Sequence, residues 1–244
     1  MSNRKIALVF ASYKELKTLP ILLKELSMYL NSQHVIIVSD DSPEEIRMEL
    51  VEKCKNALAS KESKIDFSFG KYKVGRGAAI LRGFKFASEK YGPFDFFIEA
   101  DSDGSHTAFD INKLITNKSE ADLVIGSRYL TESRIIGWPI SRRLFSKMLN
   151  SIIPSLLNVK CTDITNGLRR YSKRAVEAFY EEQPKNTGFV YLSEQALIVK
   201  NKKLTITEVP ITFINRTIGE STVGLKEVFI SLRGIYLLIK IEKI

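Results

Sequence analysis

An apolar run that ends in acidic residues, FDFFIEADSDGSH from Phe94 to His106, constrains this chain more than any other stretch. The run is short and aromatic, which is typical of a strand buried on both faces of a parallel sheet. Asp101 and Asp103 follow at its carboxyl end, where open α/β sheets bind their ligands. Two carboxylates one residue apart can share a hard divalent cation such as Mg2+ or Mn2+. A solvated turn with acids at its tip is the alternative, and the motif alone leaves both open.

Strands and helices alternate through the first half of the chain. The apolar spacing predicts strands at Ile6–Phe10, Val35–Val38, Ile65–Phe69, Phe94–Ile98 and Ala121–Gly126. It predicts helices over Leu19–Leu30, from Pro43 onward, and over Ala78–Ser88. This alternation indicates an α/β fold with a doubly wound, mostly parallel sheet. Its carboxyl edge would collect the polar residues Tyr13, Glu15, Asp40, Asp101 and Asp103.

The second half places arginines at the start of a predicted helix, Ser141–Leu157. Cations in a first helical turn are slightly unfavourable to the helix dipole. An anion bound beside Arg142 and Arg143 would offset that cost, although a solvated pair of arginines is the simpler reading. The preceding loop is predicted to expose Trp138. A further helix is predicted at Leu192–Lys200 and a strand at Leu204–Ile214.

The last stretch, Leu225–Ile244, carries one apolar stripe at helical spacing. Such a helix either packs on its own domain or lies in a membrane interface. We therefore divide the chain into a main domain, residues 1–222, and a C-terminal amphipathic helix, residues 223–244.

Composition narrows the possible partners. The formal charge of +9 fits a nucleic acid, an anionic membrane surface, a phosphorylated substrate, or only a lysine-rich surface. The lysines are scattered and form no basic stripe interleaved with aromatics, so no nucleic acid is expected. Cys54 and Cys161 form no CxxC pair, which favours a reducing compartment over a disulfide framework or a zinc site. The N-terminus does not resemble a signal peptide, and no apolar stretch is long enough to span a bilayer.

Two common nucleotide motifs are missing from the sequence. No GxGxxG follows the first strand, and no GxxxxGK[ST] occurs. A dinucleotide oxidoreductase or a P-loop enzyme is therefore not expected. An α/β sheet with D-x-D in place of a glycine loop suggests a nucleotide held through a metal on its diphosphate.

Several blocks, taken in order, resemble the polyprenol-phosphate glycosyltransferases of glycosyltransferase family 2, above all their dolichol-phosphate mannosyltransferase branch. KVGRGAA resembles that family's K-L-G-L-G-T-A, and DSDGSH resembles its D-A-D-L-S-H. The other similar blocks are ASYKELKTLP, VSDDSPEE, GSRY, GWPISRRLFSKMLN, TDITNGLRRY and FINRTIGEST. Each block is weak by itself, but their order and spacing from Ala11 to about Gly234 are specific.

The resemblance implies a GT-A fold and transfer of a sugar from a nucleotide sugar to a lipid phosphate. The residues that it implies for the nucleoside are Ala11, Tyr13, Glu15 and Asp40. Those for Mg2+ or Mn2+ and the donor diphosphate are Asp101, Asp103 and Ser105. Those around the acceptor phosphate and the reacting centre are Arg128, Arg142, Ser146 and Arg216, together with Asp103.

The implied reaction moves a hexose, with mannose from GDP-mannose favoured, onto dolichyl or polyprenyl phosphate with inversion. The attacking phosphate oxygen is already anionic near neutral pH, because the second pKa of a phosphomonoester is about 6. No dedicated base is then required. The alternatives are another family 2 transferase, for example one that moves UDP-glucose onto a lipid phosphate or a glycan, and an inactive scaffold subunit. We expect a cytoplasmic protein, peripheral on the cytoplasmic membrane face or recruited by a membrane subunit.

Three departures of the sequence from the family pattern matter. Thr222 stands where the family has Lys, so a phosphate contact is either lost or supplied by Lys226. Ala11 and Lys14 replace the usual Pro and Asn, which loosens any inference about the base. Glu99 adds a third acid, which we expect beside the metal pair.

Overall fold

The computed structural model of the chain describes residues 4–58, 63–188, 190–215 and 233–240. Within these residues the strands are β1 Ile6–Ser12, β2 His34–Asp40, β3 Lys64–Phe69, β4 Phe96–Asp101, β5 Leu123–Ser127, β6 Arg134–Ile136, β7 Arg169–Ser172, β8 Ile206–Pro210 and β9 Thr212–Ile214. The helices are α1 Thr18–Leu26 with a 3-10 turn at Ser27–Tyr29, α2 Glu44–Leu58, α3 Arg76–Tyr91, α4 Ala108–Ile115, α5 Ile140–Leu156, α6 Lys173–Glu182 and α7 Tyr191–Asn201. Residues 233–240 are also helical.

The main sheet of the described residues has the strand order β3-β2-β1-β4-β7-β5-β8. β1 pairs in parallel with β2 on one side and β4 on the other, and β2–β3 and β5–β8 are parallel too. Only β7 runs antiparallel to its neighbours in this sheet, between β4 and β5. The predicted doubly wound, mostly parallel sheet is therefore confirmed. β6 and β9 pair separately as a small parallel sheet.

Helices cover both faces of this sheet, which explains why its central strands are apolar throughout. β1 and β2 are buried along nearly their whole length, as strands covered on both faces must be. One core packs α3, α6 and α7 against the sheet through residues such as Phe84 and Phe179. The other packs α1, α2 and α4 through residues such as Leu23 and Ile111. Strand ends that carry polar side chains thus emerge at one carboxyl edge.

The predicted strand Leu204–Ile214 is wrong as a single element. It consists of β8 and β9, which belong to different sheets. Pro210 ends β8 and has no N–H to continue a ladder. The next residue, Ile211, is buried, and its N–H donates to the Ser127 carbonyl while its own carbonyl accepts from Arg134 N. The chain bends here and carries β9 toward the carboxyl edge of β4.

β7 was not predicted, because its sequence RRYS contains two arginines that suggest a surface loop. Both are fully buried. Arg169 donates to the carbonyls of Asn166, Leu192 and Ile164, and Arg170 lies over the Phe96 ring at 4.1 Å. These buried cations are satisfied mainly by backbone carbonyls, which a sequence pattern cannot show.

Of the predicted C-terminal helix, the structure describes only residues 233–240. Leu238 is buried in the α3-side core, and a side chain at Gly234 would meet Val190. Tyr236 and Leu237 are exposed. This part packs on its own domain, while the predicted boundary at residue 222 lies outside the described residues. No helix among the described residues combines the length and the apolar content needed to cross a membrane.

Candidate active site

Polar groups come together in the turn that follows β4, residues 101–106, which we call the acidic turn. Gly104 has a φ of 79°, a left-handed conformation that glycine adopts without strain. The Asp103 carboxylate accepts a hydrogen bond from Ser105 N at 3.0 Å. Ser102 Oγ donates to the Ala11 carbonyl at 2.7 Å and ties the turn to β1. The hydroxyl of Ser105 is buried without a hydrogen-bond partner.

The His106 side chain holds the backbone where this turn begins. Its Nδ1 accepts a hydrogen bond from Asp101 N at 3.1 Å, so the proton is on Nε2, 3.1 Å from Asn166 Oδ1. Asn166 in turn donates its amide to the Gly126 carbonyl, which orients its oxygen toward the imidazole. A series of hydrogen bonds from Asp101 N through His106 and Asn166 to the Gly126 carbonyl of β5 therefore fixes the backbone position of Asp101.

Arg76 occupies one side of the Asp101 carboxylate. Its Nε donates to Asp101 Oδ1 at 2.6 Å, and its Nη1 donates to Glu99 at 2.9 Å. Burial alone would raise the pKa of Asp101, but Arg76 outweighs burial and holds that pKa below its usual value. Asp101 is consequently ionised at neutral pH.

Glu99 lies beside Asp101 on β4 and shares the Arg76 guanidinium with it, but it does not face the acidic turn. It is fully buried, points into the α3-side interior, and accepts hydrogen bonds from Arg76, Tyr171 and Tyr191. Glu99 and Asp101 share one face of β4, but Glu99 lies one step deeper in the sheet. Its role is to hold Arg76.

The acidic turn fits a hard divalent cation by its donors. Asp101, Asp103 and Ser105 supply only oxygen atoms, and the buried Ser105 hydroxyl lacks any other partner. Within the described residues no group of three or more His, Cys, Asp or Glu side chains forms a metal site by itself. A cation here would thus need further oxygens from elsewhere, as Mg2+ sites that share ligands with substrate phosphates do.

A polar cavity of about 290 Å3 opens at the carboxyl ends of β1 and β2. Tyr13 lines it, with Lys73 Nζ 4.4 Å from its ring centre. The other lining residues are Asp41, Ser42, Pro43, Glu44, Arg47, Lys71 and Tyr72.

The remaining predicted nucleoside residues surround this cavity without all lining it. Asp40 is fully buried and shapes the turn beneath it by accepting from Ser42 N and Ser42 Oγ. Ala11 faces Asp101 across the β1–β4 ladder, and Glu15 accepts from Thr18 near the start of α1. Asp41 was not predicted; it is buried against Arg82 at 2.7 Å and accepts from Val74 N.

The predicted arginines adopt two different roles. Arg128, after β5, is buried and makes a two-point ion pair with Asp163 at 2.7 and 2.8 Å. Burial would lower the pKa of Arg128, but Asp163 raises it. Arg142, in the first turn of α5, is exposed and lies over the Trp138 ring at 4.1 Å. Ser146 accepts a hydrogen bond from Tyr129 Oη at 2.6 Å.

Trp138 is buried at 7% exposure, so the prediction of an exposed tryptophan is wrong. Its ring packs edge-on against Phe213 of β9, and both arginines, Arg128 and Arg142, lie over it. The predicted Arg216 lies outside the described residues, just beyond Asn215, whose side chain accepts from Arg142.

β9 brings the acidic turn and the arginines together. Ile214 N donates to the Ser105 carbonyl at 3.0 Å, and Phe213 lies edge-on to both His106 and Trp138. A continuous row of rings therefore joins the two clusters. Arg128 also contributes to the lowered pKa of Asp101, which places the two in one electrostatic field.

A comparison of the sequence with family models identifies the family. The model described as "Glycosyl transferase family 2" matches residues 8–179, more than two thirds of the chain. The chain belongs to glycosyl transferase family 2. This confirms the predicted family and makes the protein a glycosyltransferase. The match spans the polar cavity, the acidic turn and the start of α5.

Relatives within this family include two that act on lipid phosphates by name. The undecaprenyl-phosphate mannosyltransferase of Micrococcus luteus is 29% identical over 218 residues, 89% of this chain and 86% of that protein. The polyprenol monophosphomannose synthase of Mycolicibacterium smegmatis is 29% identical over 223 residues, 90% of this chain and 81% of that protein.

Two solved structures of other proteins share the fold. Glucosyl-3-phosphoglycerate synthase of Mycobacterium tuberculosis, in complex with Mn2+, UDP-glucose and phosphoglyceric acid, superposes with a TM-score of 0.63 at 15% identity, covering 98% of this chain and 80% of that one. A mannosyltransferase from Pyrobaculum calidifontis in complex with GDP-Man and Mn2+ gives 0.57 at 9%, covering 97% and 70%. The predicted GT-A fold is confirmed.

Proposed function

We propose that this glycosyltransferase moves mannose from GDP-mannose to a polyprenyl phosphate with inversion of the anomeric centre. The observation that carries the proposal is that β9 contacts both the acidic turn and Trp138, the ring over which Arg128 and Arg142 lie. The names of both similar mannosyltransferases support the sugar and the acceptor class.

The donor side is formed by the polar cavity and the acidic turn. Tyr13 and the start of α2 border the space for the nucleoside, and the helix N-terminus favours negative charge. Asp101, Asp103 and Ser105 would hold Mg2+ or Mn2+. When bound, such a cation neutralises the charge that develops on the departing diphosphate.

The acceptor side is formed by Arg142 with Ser146, supported by Arg128. The Trp138 face holds the Arg142 guanidinium, and a guanidinium binds phosphate oxygens in a defined geometry. Arg128 is fixed by Asp163 and adds positive potential without leaving the interior. These residues orient an acceptor oxygen that is already anionic, so they position rather than deprotonate it.

An exposed apolar face on α5 suggests how the protein meets a lipid substrate. Its members recur at helical spacing and are each at least 44% exposed: Ile140, Leu144, Phe145, Met148, Ile152 and Leu156. Arg143 and Lys147 border them on the same helix. A helix with an apolar face beside cations is suited to an anionic membrane interface. Peripheral membrane association through α5 is thus part of the proposal.

A product assay tests the function. The purified protein is incubated with Mn2+, a polyprenyl phosphate, and either GDP-mannose or UDP-glucose carrying a radiolabelled sugar. We expect label from GDP-mannose in the organic phase, in a mild-acid-labile product. Label from UDP-glucose alone, or only in water-soluble product, would contradict the proposed donor or acceptor.

A further inference from the structure

Arg76 links the candidate metal site to the protein interior. It is the first residue of α3, and its side chain is 19% exposed. Its three donor groups reach three different acceptors: Nε reaches Asp101 Oδ1 at 2.6 Å, Nη1 reaches Glu99 at 2.9 Å, and Nη2 reaches the Gly167 carbonyl at 2.9 Å. A guanidinium bonded on all sides in this way cannot rotate freely.

Glu99 fixes the far side of that guanidinium. Its carboxylate is fully buried and also accepts from the hydroxyls of Tyr171 and Tyr191. The Tyr191 ring lies 5.4 Å from the guanidinium carbon of Arg76. A buried carboxylate that accepts from a guanidinium and two hydroxyls holds that guanidinium in one geometry.

The backbone leaves space for this arrangement at one glycine. A Cβ at Gly167 would lie 2.6 Å from Arg76 Nη2 and 2.9 Å from its guanidinium carbon. Any larger residue there would push the guanidinium away from Asp101. Two separate parts of the chain are therefore shaped around Arg76, the β4 strand and the loop before β7.

We propose that Arg76 is a positioning residue for Asp101 that also makes cation binding depend on the donor diphosphate. This rests on the proposed function. Arg76 holds Oδ1 of Asp101 at 2.6 Å, while Oδ2 lies 3.7 Å from His106 Nε2, beyond hydrogen-bond distance, and is the oxygen that we assign to the cation. Its positive charge lies beside the acidic turn, so a divalent cation alone meets a partly neutralised site. A diphosphate adds negative charge at the same place, and the cation then binds tightly together with the nucleotide.

The test measures Mn2+ binding directly, by loss of the free-ion EPR signal, with and without GDP. Two variants separate charge from geometry. Arg76→Lys keeps the charge and loses the three-point contact. Arg76→Leu with Glu99→Gln removes the guanidinium that contacts Asp101 together with its buried counter-charge, so the net charge is unchanged, no buried carboxylate is left unpaired, and an acceptor remains for the tyrosine hydroxyls. Lys85→Met with Glu89→Gln, which removes an exposed ion pair on α3, is the matched control.

Wild-type protein is expected to bind Mn2+ weakly alone and at least about tenfold more tightly with GDP. Arg76→Lys should bind Mn2+ alone as wild type does, while kcat for sugar transfer falls about tenfold or more. The double variant should bind Mn2+ alone at least about threefold more tightly than wild type, yet turn over more slowly. Lys85→Met with Glu89→Gln should change neither quantity.

A higher Mn2+ affinity combined with a slower turnover in the double variant identifies this role, because general damage to the site would lower both the affinity and the turnover. Parallel loss of Mn2+ affinity and activity in the double variant overturns the proposal, as does full activity in Arg76→Lys. Should the double variant fail to fold, the Arg76→Lys result decides alone. If wild type binds no Mn2+ even with GDP, the metal-dependent function fails and this proposal with it. If wild type binds Mn2+ and the variants do not differ, only the role of Arg76 is refuted.

Discussion

The guanidinium carbon of Arg142 lies 4.1 Å from the centre of the Trp138 ring, so a cation in the first turn of α5 is held on an aromatic face. The indole itself is buried against Phe213, which makes the platform rigid. This contact explains why the arginine at a helix start is tolerated: the aromatic face offsets the unfavourable interaction with the helix dipole.

Replacing Trp138 by Leu should raise the KM for the lipid phosphate about two- to fivefold. That range corresponds to about 0.5–1 kcal/mol for a cation–π contact at an exposed cation. The KM for the nucleotide sugar should stay within error, because the indole contacts the arginines and β9 rather than the polar cavity. Steady-state kinetics with each substrate varied in turn measures both. An equal rise in both KM values would argue against a role in acceptor binding.

Breaking the buried Arg128–Asp163 ion pair should strongly lower the free energy of unfolding. Removing one partner, as in Asp163→Leu, leaves a buried charge and should cost about 3–5 kcal/mol of the free energy of unfolding. The double variant Arg128→Met with Asp163→Leu should recover most of that loss. Urea unfolding of the three proteins checks this, with Lys173→Met, an exposed cation on α6, as the control. A double variant no more stable than the single one would contradict the ion-pair account.

Ser105→Ala should lower the affinity for Mn2+ without lowering the stability of the fold. The hydroxyl is buried without a partner, so its removal should leave the melting temperature unchanged or slightly higher. The affinity for Mn2+ in the presence of GDP should nevertheless fall, because an oxygen donor is lost. Calorimetric titration and thermal unfolding give the two quantities. Unchanged affinity would remove Ser105 from the metal site.

The acid dependence of stability should reflect the Asp101 carboxylate. Its pKa is lowered in the folded protein from an ordinary value near 3.8, so its contribution is fully present above that value. The contribution is lost as pH falls through the lower, folded-state pKa. The stability difference between wild type and Asp101→Asn should therefore be constant above about pH 5 and shrink below pH 3.8. Urea unfolding across pH 2–6 measures it; a difference that does not vary with pH would contradict the pairing with Arg76.

Membrane association should depend on α5. Leu144→Glu with Met148→Glu should reduce sedimentation with anionic liposomes, because charged groups would enter the apolar face. Met48→Glu on α2 is the matched control, since Met48 is 83% exposed and far from α5 in the chain. Loss of sedimentation in the control alone, or in neither protein, would rule out α5 as the contact.

The fold could be predicted from the sequence because its central strands are apolar on both faces. β1, β2 and β4 stand out for that reason, and the helices between them carry clear apolar spacing. β7 could not be predicted, since its arginines donate to carbonyls that are distant in the sequence. The break at Pro210 had a visible signal in the proline, which the long apolar run obscured.

The candidate site was predicted where side chains follow a strand, and missed where they act across the fold. Asp101, Asp103 and Tyr13 lie at the carboxyl edge as expected. Arg76 was missed, although it stands where the similar family pattern K-L-G-L-G-T-A has Leu, because its partner Glu99 is far away in sequence. The presence of Arg76 in place of that Leu, together with the additional acid Glu99, is the one sequence signal that could have suggested the Arg76–Glu99 pair.

A crystal structure of the protein with Mn2+, GDP and a short-chain polyprenyl phosphate tests the central claim most directly. Anomalous scattering should place Mn2+ against Asp103, with the diphosphate on the same ion and the lipid phosphate against Arg142. A lipid phosphate bound away from Arg142, or Mn2+ bound away from the acidic turn, would contradict the account.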